Sequence, residues 1–168
     1  MRLHGHRRRN NPGAFKSTLE PLAEFGRLHI TVTCISLAAS VAKVSVQTHG
    51  FVREVRDSRG DLDSVSRELY SLKTVLEIVS DDAEKRKGGG FPQSLHRQIS
   101  GILTYCGCVL EQIEQSLEKC GGGGVKKGVN WMLGGREDMN KLRSSLEAHK
   151  SALDIALEMV ALYVALPS

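Results

Sequence analysis

Aromatic residues are scarce in this chain: four Phe, three Tyr and a single Trp, 5% of 168 residues. β-Sandwiches draw on aromatic and β-branched side chains, so the scarcity argues against one. A core of Leu, Val, Ile and Ala suits helices packed on helices. Cysteine is sparse as well, limited to Cys34, Cys106, Cys108 and Cys120. None has a His or Cys partner at zinc-finger spacing. On a helix, Cys106 and Cys108 would point about 200° apart, which keeps both sulfurs from gripping one ion. No apolar run stands directly behind the basic start, so no secretory signal is expected. Free thiols in a reducing compartment, the cytoplasm, are expected instead.

Charge of one sign is also missing from most of the chain. The formal net charge is +4. Residues 1–27 carry Arg2, Arg7, Arg8, Arg9, Lys16 and Arg27 against Glu20 and Glu24, whereas residues 28–168 carry 17 basic and 17 acidic side chains. The whole excess sits in the first segment, so the body has no overall positive field for phosphates and nucleic acid is disfavoured as a partner. Residues 1–28 are polar, rich in Arg, Asn, Gly and Pro and without periodicity. They read as a disordered basic arm. A mitochondrial presequence, or a grip on anionic lipid or RNA through Arg7, Arg8 and Arg9, is the weaker reading of that arm.

What the chain does have is helical periodicity. The last long segment, Glu137 to Leu166, places Met139, Leu142, Leu146, Leu153, Ala156, Val160 and Val164 at steps that stack on one helical face. Such a helix must bury its stripe against others. A second stripe runs through Leu62, Val65, Leu69, Leu72, Leu76 and Val79. A third comprises Leu95, Ile99, Ile102, Leu103, Val109, Leu110, Ile113 and Leu117, with Pro92 suited to its first turn. Gly101 and Gly107 weaken that third helix locally, and either can mark a close crossing.

The first helix is expected from about His29 to Asp57. Its opening half is apolar and rich in small residues, and Ala38, Ala39 and Ala42 would let neighbours close in around a central helix. Its length also suits a membrane span, although Lys43 interrupts it, and a charge at Leu37 would test that alternative. Its second half turns Thr48, Phe51, Val52 and Val55 inward, and Arg53, Glu54, Arg56 and Asp57 outward. Gly60 is expected to end it and Asp61 to cap the next helix. Gly88 to Gly90 and Gly121 to Gly124 read as loops. VNWMLGG is expected to form a short turn whose Trp131 and Met132 plug the bundle. The expectation is an all-α bundle of about four long helices with a short connecting helix, spanning residues 29–166 as one domain.

Chemistry is not visible in these residues. GGGGVKKGVN is no phosphate loop, because Lys127 precedes Gly128 rather than Ser or Thr and a helix, not a strand, comes before it. His149 lies on the last stripe and reads as a buried, hydrogen-bonded core residue, and His96 as a surface one. No Ser or Cys nucleophile accompanies either. No catalytic, cofactor-binding or metal residue is expected, no small-molecule substrate and no enzyme.

Two blocks carry a resemblance. FVREVRDSRGDLDSVSRELYSLKTVLEIV and KLRSSLEAHKSALDIAL, with FPQSLHRQISGI between them, resemble the fungal N-terminal, HeLo-like domain found ahead of NACHT-type nucleotide-switch domains and ankyrin arrays. The resemblance covers roughly Ile30 to Leu162. It implies an all-α bundle acting as a non-enzymatic adaptor in fungal innate-immunity or programmed-death signalling, with a protein partner or self-association. Its alternative is a membrane-perturbing effector that acts through Ile30 to Val46, which would add membrane association to a cytoplasmic protein. About thirty residues precede helix one here, where the family usually starts it near the initiator methionine, and no nucleotide-switch domain follows Leu166. Both departures count against autonomous pore formation.

Overall fold

A computed structural model describes residues 12–55, 59–85, 92–121 and 125–165, with side chains from Phe25 onward except at residues 59, 125–127 and 163–165. Among the described residues there are five helices: α1 (Pro12–Glu54), α2 (Arg59–Lys85), α3 (Gln93–Cys120), the short α4 (Val125–Asn130) and α5 (Arg136–Ala165). A kinked π turn, Trp131–Gly135, in which Gly134 is extended rather than helical (φ 176°, ψ −28°), joins α4 to α5. This is the expected bundle of four long helices and a short connector, with no strand among the described residues.

The four long helices form a square. α1 packs on α2 and α3, and α5 closes the ring against the same two. Polar contacts set the directions. α1 runs antiparallel to α2, with the Arg27 guanidinium donating to the Glu84 carbonyl at 3.2 Å. It runs parallel to α3, with His96 Nε2 3.0 Å from the Gly26 carbonyl at one end and Gln47 donating to Glu114 further along at 2.9 Å. α5 lies parallel to α2, tied by Arg136 to Asp61 at 2.9 Å and by Lys150 to Glu68 at 2.8 Å.

The predicted stripes make the core. Leu62, Leu69, Leu72 and Leu76 of α2 have no exposed surface, and Ile99, Leu103, Leu110 and Ile113 of α3 almost none. Full burial of one such side chain is worth about 2 kcal/mol. The four leucines of α2 thus contribute on the order of 8 kcal/mol, comparable to the net stability of a whole domain. None of these helices persists alone for that reason. Gly107 marks the close approach of α3 to α1, since a Cβ there would stand 3.4 Å from Leu37, whereas Gly101 has open space around it.

Several expectations are corrected. The helix does not begin at His29 but reaches back to Pro12, and Gly26 and Arg27 already dock on α3 and α2. Residues 1–11 of the expected arm lie outside the described residues. Gly60 does not end α1: α2 starts at Arg59, so Gly60 sits in its first turn and takes a contact from Ser64 on its carbonyl. Asp61 is held by Arg136 from α5. The loops expected at Gly88 to Gly90 and at residues 122–124 lie outside the described residues, and Val125–Asn130 forms α4 and runs into the kinked turn.

The plug is Trp131 alone. It is 1% exposed, and its ring packs 5.3 Å from Phe51 at the end of the bundle where α1 stops, whereas Met132 is 75% exposed. One step along a helical turn is about 100°, so both large side chains cannot face the same core. The Trp131 indole N–H has no acceptor among the described residues.

α1 is not central either. It occupies a corner of the square diagonal to α5. Small residues permit close packing on every side but do not require it, and Ala39 and Ala42 are exposed here.

Candidate interaction surface

α1 carries two seams. The inward one, Ile30, Cys34, Leu37, Val41, Val44, Thr48, Phe51 and Val55, is buried against α2 and α3. The outward one begins at Phe25 and continues through Leu28, Val32, Ile35, Ala39, Ala42 and Val46. Phe25 is 74% exposed, Ile35 61% and Val46 74%. Both seams step alternately by three and four residues, and at about 100° per residue they lie on opposite sides of one helix. That double pattern explains why α1 lacks amphipathic asymmetry although it is a surface helix.

The surroundings of the outer seam are neutral and mostly small: Thr31, Ser36, Ala38, Ser45 and Gly50 flank it, with His29 and Lys43 the exceptions. Lys43 is paired with Glu114 of α3, which also accepts from Gln47. These hydrogen bonds, Lys43 first, hold the Glu114 carboxyl below its ordinary value of 4.5. The one apparent cation beside the seam is therefore engaged within its own bundle.

Phe25–Glu54 is also the one helical segment among the described residues long and apolar enough to cross a membrane. A core helix that passes such a test is mostly buried, yet only 28% of the apolar window is buried here. Leu37, however, belongs to the inward seam at 8% exposure. A charge there would disrupt packing whether or not the helix meets a membrane, so Val32 and Ile35 are the informative positions.

A shallow hollow of about 660 Å³ lies between the π turn and α5, lined by Met132, Leu133, Arg136, Glu137, Asn140 and Lys141. It is open, and Glu137 and Lys141 pair with each other at 2.7 Å. Burial pushes the Cys34 and Cys106 thiols up to about 12, and the Cys120 thiol is raised by burial and by Asp138. All three are inert core groups at neutral pH. Cys108 points outward, so the two thiols of Cys106-Gly107-Cys108 diverge. His149 is half-buried and stacks on Tyr105, centroids 5.6 Å apart and planes 7° from parallel. It lines the edge between α3 and α5 rather than the core, because a residue three positions from Leu146 and four from Leu153 on a curved stripe sits at its margin. His96 is fixed by the Gly26 carbonyl and lies 6.1 Å from the His29 ring. No group of three or more His, Cys, Asp or Glu gathers as for a metal among the described residues.

The comparison with known families decides the affiliation. Residues 26–166 match the model of the pigment biosynthesis cluster protein PigL N-terminal family. The chain belongs to that family. It is a fungal N-terminal domain family, so the resemblance read from the two sequence blocks holds at that level. The match starts at Gly26, the residue whose carbonyl meets His96, which agrees with packing that begins ahead of His29. No solved structure matches the chain.

Periodicity alone could not find the outer seam as a site, because on one helix an outward apolar stripe and an inward one look the same. The signal that was available is that α1 carries apolar residues on both sides at heptad spacing.

Proposed function

We propose that this chain is a non-enzymatic helical interaction module, an adaptor that docks other protein surfaces on the outer seam of α1. The observation that carries this reading is the exposed apolar row from Phe25 to Val46, bounded by small neutral residues. Apolar surface of this extent on a soluble fold marks an interaction site. Membership of a family defined as the N-terminal part of its proteins supports a module that works on behalf of other segments. Placement ahead of nucleotide-switch and repeat domains, in fungal immunity or death signalling, is the finer form of this proposal. The family's name ties its members to a pigment biosynthesis cluster, a second context in which such an adaptor would serve.

The second reading is an effector that perturbs membranes through Ile30 to Val46, favoured by the length, apolarity and exposure of α1. Peripheral amphipathic helices draw anionic lipid with a basic face, which the outer seam of α1 lacks. The full chain should therefore leave dye-loaded phosphatidylserine–phosphatidylcholine vesicles intact, and Ile35→Asp should abolish protein binding without loss of helicity. Vesicle leakage that Ile35→Asp removes would overturn the adaptor reading in favour of the effector.

A further inference from the structure

We infer that the occupant of the outer α1 seam is a second copy of this chain, so that the module is a two-fold dimer built on paired α1 helices. This rests on the reading of that seam as a protein-docking surface and names its partner.

The spacing is the first argument. From Phe25 to Val46 every step is three or four in strict alternation, continued in register by His49 and Arg53. That is the period of a helix–helix seam, where each side chain enters a hole on a facing helix. A lipid surface requires an apolar face but no such register.

Charge is the second. Different partners are selected by complementary charges beside the seam. Between Phe25 and Val46 the seam is flanked only by His29 and Lys43, with Arg53 beyond the apolar stretch, and Lys43 is committed to Glu114. A neutral stripe carries nothing that discriminates against itself, and a two-fold axis lets the same patch serve both sides.

Shape and size follow. Large side chains occupy the seam from Phe25 to Ile35 and again at Val46, with Ala39 and Ala42, the fifth and sixth of its seven positions, between them. Two such helices approach closely where the alanines meet and interlock beyond them. The seam is about 32 Å long, from about 1.5 Å per residue, and about 10 Å wide. Counted as corrugated accessible surface, each copy hides several hundred Å², on the order of the ~800 Å² per partner of a standard specific interface. The corner position of α1, diagonal to α5, leaves this edge clear of the other helices.

The test is the solution mass of the full chain by sedimentation equilibrium, from about 1 to 100 μM, for wild type and Ile35→Glu. The wild type should double its mass across that range. Ile35→Glu should weaken association roughly 100-fold or more, since it places a facing pair of charges in an apolar seam, with far-UV circular dichroism unchanged. Ala39→Cys gives an independent readout: mild oxidation should yield a disulfide-linked dimer in high yield at low micromolar protein. A monomeric wild type at 100 μM overturns the inference. So does a dimer that Ile35→Glu leaves intact and Ala39→Cys does not cross-link. A monomer whose partner protein is nonetheless lost on Ile35→Asp would sink the dimer and leave the adaptor reading standing.

Discussion

At the scale of single residues, Gly135 is where the fold has least tolerance. It is buried at the junction of the π turn and α5, and a Cβ built there would stand 2.6 Å from Cys120 Sγ and 3.2 Å from the Trp131 ring. Something has to move, and both neighbours are packed in the core. Gly135→Ala should therefore destabilise the protein by about 1–3 kcal/mol, the range for overpacking. Cys120→Ala in the same chain should return part of that loss, with a coupling of at least ~0.5 kcal/mol in a double-mutant cycle followed by urea denaturation. Strictly additive effects would mean that the sulfur is not the obstacle. Gly101 is the contrasting case. It sits inside α3 with nothing within 4 Å of its would-be Cβ, and Gly101→Ala should stabilise by ~0.5–1 kcal/mol through helix propensity alone.

At the scale of elements, α1 is fastened to α3 toward their C-terminal ends by Lys43, Gln47 and Glu114, and this contact has a pH dependence whose sign follows from the carboxylate. Its pKa is lowered by donors present only in the folded state. The stability it supplies is complete above its ordinary value of 4.5 and disappears as pH falls through the lower folded value. Glu114→Gln should thus be less stable than wild type at pH 7, and the two denaturation midpoints should converge below about pH 4.5. A gap that stays constant down to pH 3 would place the effect in packing rather than charge. The elements also show what sequence can and cannot reveal. The stripes of α2, α3 and α5 were legible because each has one apolar side, and Leu69, Leu103 and Leu146 are all buried. α1 was legible as a helix but not as a surface. Ile30 and Val32 are chemically equivalent in the sequence, yet one is fully buried and the other 58% exposed. Only the positions of α2 and α3 tell them apart, so the candidate site required the packed bundle. The start of α1 failed for a different reason: Pro12 opens a helix whose first turns have no apolar period, so nothing local marks it.

At the scale of the whole molecule, the square of helices is closed at one end by a single side chain. Trp131 belongs to the π turn between α4 and α5, yet it is buried against Phe51 of α1, near Gly135 and Cys120. The connector is thereby integrated with the core, although α4 itself is only six residues long. This matters for cooperativity, because short connectors on bundle ends often open before the rest. Here opening would strip Trp131 of its cover and expose the bottom of the core along with it, at a cost of about 3–5 kcal/mol judged by truncation of large aromatic side chains. The fold should therefore unfold as one unit. Because Trp131 is the sole tryptophan, its fluorescence reports on this end of the bundle alone, whereas circular dichroism at 222 nm reports on all the helices. In urea the two signals should trace one transition with the same midpoint and slope, starting from blue-shifted emission that acrylamide quenches poorly. A fluorescence transition at lower urea would show that the plug detaches on its own, leaving a four-helix square open at one end. Under that outcome the connector would be a movable part of the module rather than a fixed piece of its core.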